Sequence, residues 1–206
     1  MEKKIIFASH NENKVREVRE MLSPLGITVL SLSDLGLKQT AEETADTFEG
    51  NSLIKAKDIA ARCEIAVLSD DSGLSIEALD GFPGVHSARF MEGHSYVEKN
   101  KAILERLSGV SNRKAAFITA MTYISADRKI EKTFIGKDEG HILTAFPAGK
   151  QNGFGYDPIF FSDALNKSYG EATEEEKNAV SHRGRALRKV VAYLRSENDG
   201  TDTGNR

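Results

Sequence analysis

The most constraining feature of this chain is the segment Ala66–Gly73, in which an apolar run is followed directly by acidic residues. Four residues suited to a buried strand are followed by Asp70, Asp71, a serine and a glycine. An apolar strand that ends in carboxylates predicts acid at the rim of a sheet, where α/β folds place their ligand crevices. One carboxylate there would be explained by a turn or a helix cap. Two in tandem, together with the second acidic pair Glu42 and Glu43, favour a site for a divalent cation.

Size, charge and cysteine content narrow the class of protein. The 206 residues allow one large domain or two small ones, and 39% apolar residues are enough for a core. A formal net charge of -3 argues against stable nucleic-acid binding, which requires a basic surface. Cys63 is the only cysteine, so no intrachain disulfide is expected, which fits a cytoplasmic location. We expect neither a membrane span, which needs ~18–20 apolar residues, nor a signal peptide in the short run Met1–Phe7.

Hydrophobic periodicity predicts strands that alternate with helices early in the chain and antiparallel strands in the middle. We predict strands over residues 4–8, 28–32, 67–68, 74–76, 116–124, 133–136, 140–143 and 158–161, and helices over 15–22, 49–63, 97–107 and 181–194. This order indicates one α/β domain with a mixed sheet over residues 1–196, with two lobes around a cleft. The polar tail 197–206 carries no large apolar residue and is predicted to be disordered.

Two polar segments are candidates for the recognition of phosphate or charge. The loop Ser9–Lys14 follows a strand and precedes a helix, so backbone N–H groups and a positive helix end favour phosphate there. A simple helix cap explains the same residues. Asn51 and Lys55 lie four residues apart and share a helix face. Lys55 borders the apolar side of that helix. Its ammonium group could reach solvent or point into a charged cleft, and the sequence leaves both directions open.

Two further segments have the character of a site for a nucleotide base. In Gly153–Pro158, two glycines flank Phe154, so the backbone can approach a ligand closely while the ring offers a stacking face. A tight turn packed by aromatic rings is the alternative. The last helix is predicted to begin at Ser181 as its N-cap, followed at once by His182 and Arg183. Cations at a helix N-terminus oppose the helix dipole, which favours a functional reason for this pair.

Six motifs in order resemble the inosine triphosphatase family, the noncanonical purine nucleoside triphosphate pyrophosphatases. The matching segments are Ser9–Lys14, Thr47–Ser52 with Lys55–Ala56, Ser69–Leu74, Gly84–Phe90, Gly153–Phe160 and Ser181–Gly184. One such motif would be weak evidence, whereas six in family order are very specific. One segment departs from the family pattern: Gly149–Gly153 reads Gly-Lys-Gln-Asn-Gly, where the family commonly has a shorter Gly-Thr-Gly-Gly.

The resemblance implies an enzyme that uses Mg²⁺ to hydrolyse inosine, deoxyinosine and xanthosine triphosphates (ITP, dITP and XTP) to the monophosphate and pyrophosphate. It also implies a homodimer of elongated mixed α/β chains, each with two lobes around a nucleotide-binding cleft. Asp71 would be the general base, Lys55 would hold the triphosphate, and Asp71 with Glu42 or Glu43 would bind the metal. The residues that would hold the triphosphate together with Lys55 are Ser9, His10, Asn11, Glu12, Asn13 and Lys14. The residues that would bind the rest of the nucleotide are Ser72, Phe154, Gly155, Tyr156, Asp157, Lys177, His182 and Arg183.

The chemistry of these residues agrees with such an activity. Attack of water on the α-phosphorus needs charge neutralisation, alignment and a base, which Mg²⁺, lysines and a carboxylate supply. Asp71 as a true base and Asp71 as mainly a metal ligand both remain open. One alternative function is a regulatory nucleotide-binding module without catalysis, which would not need the acidic residues. Another is a pyrophosphatase that acts on a different modified nucleotide.

Overall fold

The structure is a computed structural model, which describes residues 4–37 and 41–201. Its strands are β1 (Lys4–Phe7), β2 (Thr28–Ser31), β3 (Ala66–Ile76), β4 (Lys114–Ile124), β5 (Glu131–Ile142), β6 (Phe160–Ser162) and β7 (Lys167–Ser168). Its α-helices are α1 (Glu12–Leu22), α2 (Phe48–Ala60), α3 (Tyr96–Arg106), α4 (Glu174–Val180) and α5 (His182–Thr201). The strands form one sheet in the order β2-β1-β3-β4-β5-β6-β7.

The sheet is mixed, which confirms the predicted α/β class. β1 pairs in parallel with β2 on one side and with β3 on the other. β6 pairs antiparallel with both β5 and β7. Three of the four residues of β1 are buried and apolar, as expected for a parallel strand that is covered on both faces.

The described residues divide into two compact units. The first unit comprises residues 4–37, 41–71, 120–135 and 186–201, and its core lies on both faces of β1. Side chains alternate along that strand, so Ile5 and Phe7 belong to one cluster with residues of α1 and α5. Ile6 belongs to another cluster, with Ala56 and Ile59 of α2. The alternation therefore explains how one strand joins helices on two faces.

The second unit comprises residues 72–119 and 136–185. Its core combines aliphatic residues of β3 and α3 with a group of aromatic rings. Phe117, Phe160 and Tyr169 are the central rings of this group, and each contacts the other two. Such aromatic pairs add to the stabilisation that comes from the burial of apolar area.

The acidic pair does not end its strand, which corrects the prediction from the sequence. β3 runs without interruption through Asp70 and Asp71, so the two strands predicted on either side of them are one. Its parallel neighbour β1 ends earlier, with Phe7 opposite Leu68. The two carboxylates therefore lie just beyond the last β1–β3 pair. They lie beyond the end of β1, although β3 itself continues past them to Ile76.

Other element boundaries also differ from the prediction. The strands predicted over 133–136 and 140–143 are the single strand β5, and neither β7 nor α4 was predicted. α4 forms because Thr173 and Glu176 make a reciprocal capping box at its start. α5 continues to Thr201 instead of ending near residue 194, and residues 202–206 of the predicted disordered tail lie outside the described residues. No helix within residues 4–37 and 41–201 is both long and apolar enough to cross a membrane.

Candidate functional site

The loop before α1 is shorter than predicted, and it caps that helix. α1 begins at Glu12, so Glu12, Asn13 and Lys14 belong to its first turn. Asn11 Oδ1 accepts hydrogen bonds from the backbone N–H groups of Asn13 and Lys14, at 3.1 and 3.3 Å. The backbone N–H of Asn11 in turn donates to Ser9 Oγ at 3.1 Å. The structure thus confirms the helix cap, and phosphate binding by these residues stays a prediction.

An ion pair ties the first turn of α1 to β3. Lys14 Nζ lies 3.0 Å from Asp70 Oδ2, and the Asp70 side chain is almost completely buried. The nearby His10 is exposed, and its Nδ1 lies 3.4 Å from Ser33 Oγ. The motif around residues 9–14 and the acidic pair of β3, which are 56 positions apart at Lys14 and Asp70, therefore meet in the first unit.

A second lysine joins α2 to β3. Lys55 Nζ lies 2.5 Å from Glu43 Oε1 and 3.5 Å from Asp71 Oδ1. Asn51, one turn earlier on the same helix face, donates from Nδ2 to Asp71 Oδ2 at 3.3 Å. The Lys55 side chain is 10% exposed, so of the two directions left open by the sequence the structure shows the one toward charge. We call Glu43, Asn51, Lys55 and Asp71 the acid–lysine cluster.

Burial and charge shift the pKa values of both groups at the centre of the acid–lysine cluster. Burial raises the pKa of Asp71 above its usual range, although the positive charge of Lys55 acts in the opposite direction. Repulsion from Glu43 and Asp70 adds to the increase. For Lys55, burial alone would lower the pKa, but the neighbouring carboxylates outweigh burial and raise it. The cluster thus combines a carboxylate of increased proton affinity with an ammonium group that stays charged.

The acidic residues that were predicted to bind metal are only partly brought together. Glu43 and Asp71 converge on the ammonium group of Lys55, whereas Glu42 is exposed. In the part of the chain that the structure describes, no group of three His, Cys, Asp or Glu side chains is arranged to hold a metal ion. The residue types fit Mg²⁺ nevertheless, because Mg²⁺ prefers carboxylate oxygens. One oxygen of Glu43 and one of Asp71 already converge on the ammonium group of Lys55.

In the second unit, a buried ion pair holds the loop around Phe154. Lys177 Nζ lies 2.7 Å from Asp157 Oδ2, and both side chains are less than a tenth exposed. The same oxygen accepts a hydrogen bond of 2.7 Å from the backbone N–H of Phe154. The Lys177 ammonium also lies 4.5 Å from the centre of the Phe154 ring. Gly153 has a φ of +74°, and a Cβ there would collide with Asp157, so this turn requires glycine.

Helix α3 supplies two further contacts to this loop. Asn100 Nδ2 donates to the backbone oxygen of Gly155 at 3.0 Å. The Tyr96 ring packs edge-on against Tyr156, with ring centres 5.5 Å apart. Tyr156 also donates its hydroxyl to the backbone oxygen of Ser87 at 2.8 Å. The sequence did not identify Asn100 or Tyr96, because a polar or aromatic residue within a helical pattern carries no sign of what it will contact.

The segment that departs from the family pattern is anchored to the chain before α4. The backbone N–H of Asn152 donates to the backbone oxygen of Gly170 at 2.8 Å. Its side-chain Nδ2 donates to the backbone oxygen of Ala172 at 3.3 Å. Asn152 therefore ties this segment to the chain before α4 through both its backbone and its side chain.

Loss of the ion pair between Asp157 and Lys177 should destabilise the protein. Asp157→Ala leaves a buried lysine without this partner and removes the acceptor of the Phe154 N–H. We therefore expect the free energy of unfolding to fall by about 3–5 kcal/mol. Denaturation by urea, followed by circular dichroism, measures the change. Glu139→Gln is the control, because it removes a pair with Lys137 that is at least half exposed on both sides and should leave the midpoint unchanged. Similar midpoints for the two variants would contradict a stabilising role for the buried pair.

The start of α5 brings three predicted residues into defined positions. Ser181 Oγ accepts the backbone N–H of Gly184 at 3.0 Å, which confirms Ser181 as the N-cap. Arg183 Nη2 donates to Ser72 Oγ at 3.2 Å. The His182 ring stacks on Phe117, with ring centres 4.8 Å apart. Phe117 was not identified from the sequence, where it is one of several apolar residues in a strand.

The predicted site residues thus form two groups, one in each unit. The group in the first unit contains Ser9–Lys14, Glu42, Glu43, Lys55 and Asp71, and the group in the second contains Ser72, Phe154–Asp157, Lys177, His182 and Arg183. The first group is rich in lysine and carboxylate, which suits phosphate and a metal ion. The second combines an aromatic ring with directional donors, which suits a nucleotide base.

Comparison with known proteins decides the family. The sequence model of the Ham1 family matches residues 5–193. The chain belongs to the Ham1 family. This membership confirms the resemblance that the six motifs indicate, and the matched range includes every predicted site residue.

Relatives of this Ham1-family chain cover nearly its whole length. A protein of Thermoanaerobacter sp. named dITP/XTP pyrophosphatase is 46% identical over 194 residues, which are 93% of this chain and 96% of the relative. A protein of the same name from Leptospira interrogans is 40% identical over 199 residues, which are 96% of this chain and 100% of the relative. The solved structure of a HAM1 protein from Coxiella burnetii matches this chain with a TM-score of 0.85 and 34% sequence identity. The match covers 94% of this chain and 98% of the Coxiella burnetii chain.

Proposed function

We propose that this chain hydrolyses ITP, dITP and XTP to the nucleoside monophosphate and pyrophosphate. The observation that carries the proposal is the acid–lysine cluster, in which the carboxylates of Glu43 and the buried Asp71 converge on the Lys55 ammonium group and Asn51 donates to Asp71. The names of the relatives point to the same reaction, since they are dITP/XTP pyrophosphatases over almost the full length of the chain.

The acid–lysine cluster has the parts that attack on a phosphorus atom requires. Asp71 would accept the proton of the attacking water, since its buried carboxylate is held in place by the Lys55 ammonium group and the Asn51 amide. Lys55 and Lys14 would bind phosphate oxygens and orient the α-phosphorus. Glu43 and Asp71 would hold Mg²⁺, and Glu43 suits this role better than the exposed Glu42. When bound, Mg²⁺ would supply positive charge against the phosphate oxygens.

The residues of the second unit have the chemistry to select the base. The Phe154 ring would stack on any purine and so contribute affinity. Arg183 has only hydrogen-bond donors, and His182 can offer one donor, so both suit the 6-keto oxygen of hypoxanthine or xanthine. Adenine presents an amino group at that position and would leave donor facing donor. Lys177 lies over the Phe154 ring and would add a further donor beside the base.

A product assay tests this function. The purified protein is incubated with ITP, dITP, XTP, ATP, GTP and modified pyrimidine nucleotides, with Mg²⁺ or with excess EDTA, and products are separated by chromatography. We expect inosine monophosphate and pyrophosphate from ITP with Mg²⁺, and no turnover with EDTA. Inosine diphosphate and orthophosphate as products would contradict the reaction, and full activity in EDTA would contradict the metal.

The same panel separates the alternatives. A regulatory module would bind nucleotides without turnover, but it would have no need for carboxylates that converge on a lysine. A pyrophosphatase for another modified nucleotide would show its highest kcat/KM on a different member of the panel. The homodimer and the cytoplasmic location remain predictions, and light scattering coupled to gel filtration measures the first.

A further inference from the structure

Three rings lie nearly parallel in the core of the second unit. The Phe117 ring stacks on the His182 imidazole, with ring centres 4.8 Å apart and planes that differ by 13°. It also stacks on Tyr169, at 5.7 Å and 4°. All three side chains are buried, and the His182 residue is only 4% exposed. Packing therefore sets the plane of this imidazole, because a close-packed interior leaves a ring little room to turn.

A buried carboxylate anchors the Tyr169 ring. The Tyr169 hydroxyl donates to Asp138 Oδ2 at 2.7 Å, and burial together with the Asp138 charge raises the pKa of Tyr169, so the hydroxyl stays a donor. Ser162 Oγ donates to the same Asp138 oxygen at 2.6 Å. Arg185 Nη2 donates to the other oxygen at 3.0 Å. Because both oxygens of this buried carboxylate accept hydrogen bonds, the network resists displacement of the Tyr169 ring.

We propose that Phe117 is a positioning residue, which fixes the plane of the His182 imidazole so that its N–H points at the 6-keto oxygen of the purine. Tyr169 and Asp138 hold Phe117 and thereby support the same orientation. The inference rests on the proposed function, in which His182 contacts the base.

Selectivity between bases should depend on the orientation of the His182 imidazole more strongly than the affinity for the nucleotide does. A hydrogen bond weakens steeply as the angle at the hydrogen departs from linearity, so a tilted imidazole would lose its contact with the 6-keto oxygen. Stacking on Phe154 and binding of the phosphates do not depend on that angle. A loss of the Phe117 ring should therefore reduce discrimination between inosine and adenosine nucleotides and leave the acid–lysine cluster intact.

The first experiment compares Phe117→Leu with Phe160→Leu. Both replacements remove a phenyl ring from the same buried cluster, and the Phe160 ring meets Phe117 and Tyr169 at steep angles. The ring that stacks on His182 is that of Phe117. We expect Phe117→Leu to lower the ratio of kcat/KM for ITP to that for ATP about tenfold or more, since small misplacements of a contacting group have effects of this order. Phe160→Leu should keep a ratio near that of the wild type.

The second experiment observes the imidazole directly in the wild-type protein. The ring current of Phe117 should shift the carbon-bound protons of the His182 ring upfield of those of the exposed histidines His10, His86 and His94. His182→Gln identifies the resonances by their disappearance. Unshifted His182 protons in the wild type would overturn the proposal, even if neither leucine variant folds.

The kinetic outcomes separate the inference from the proposed function. An unchanged ratio in a folded Phe117→Leu variant, or equal ratios in the two leucine variants, would overturn the positioning role. A wild-type protein that hydrolyses neither ITP nor ATP would instead contradict the proposed function, on which the assignment to base recognition rests.

Discussion

Asp71→Asn is expected to lower the rate of ITP hydrolysis at least ~10²-fold while the protein remains folded, since the variant loses a general base or a metal ligand. Asparagine has nearly the same shape as aspartate, so no cavity forms at this buried position. The replacement also removes a charge that Glu43 and Asp70 repel. Lys55 keeps its contact of 2.5 Å with Glu43, so it is not left without a counter-ion.

The matched control for this variant is Asp46→Asn, which changes an exposed carboxylate of the same acidic segment. Pyrophosphate release measures the rate, circular dichroism measures the fold, and titration calorimetry with ITP measures binding. We expect Asp46→Asn to behave as the wild type, and Asp71→Asn to bind ITP without turning it over. Near-normal turnover in Asp71→Asn would remove Asp71 from the mechanism.

Arg183→Ala is expected to lower the ratio of kcat/KM for ITP to that for ATP. The decrease can be as large as ~10⁴-fold, which is the discrimination that a buried hydrogen-bonding site can achieve. Arg183 is 3% exposed and donates to Ser72, so its guanidinium is held in one direction. A guanidinium N–H that faces a 6-keto oxygen has an acceptor, whereas one that faces an adenine amino group meets another donor. Alanine removes both the favourable contact and the penalty, so kcat/KM should fall for ITP more than for ATP.

Phe154→Ala is the control for this prediction, because an aromatic ring stacks on either base. It should lower kcat/KM for ITP and ATP alike, and the ratio should stay near that of the wild type. The comparison needs kcat/KM for both nucleotides in both variants. An unchanged ratio in Arg183→Ala would leave Arg183 with a phosphate-binding or structural role and exclude it from base recognition.

Much of the fold could be read from local patterns in the sequence. Alternating apolar runs predicted the mixed sheet, and the helix-capping role of Ser181 followed from residue type and place. Six motifs in order predicted the family. Strand ends were less predictable: β3 continues through Asp70 and Asp71 because strand pairing, which joins distant parts of the chain, overrides the polar character of those residues.

The sequence by itself determined the residue types of the candidate site and their order, because capping, periodicity and turn chemistry act over a few neighbouring positions. Only the tertiary structure decided where the side chains point. The sequence leaves the direction of Lys55 open, and in the structure its ammonium group contacts Glu43 and Asp71, which lie 12 positions before and 16 positions after it in the chain. Phe117 and His182 are 65 positions apart and stack in one core. The physical reason is that side-chain orientation follows from close packing and charge between segments that are distant in sequence, which no local pattern encodes.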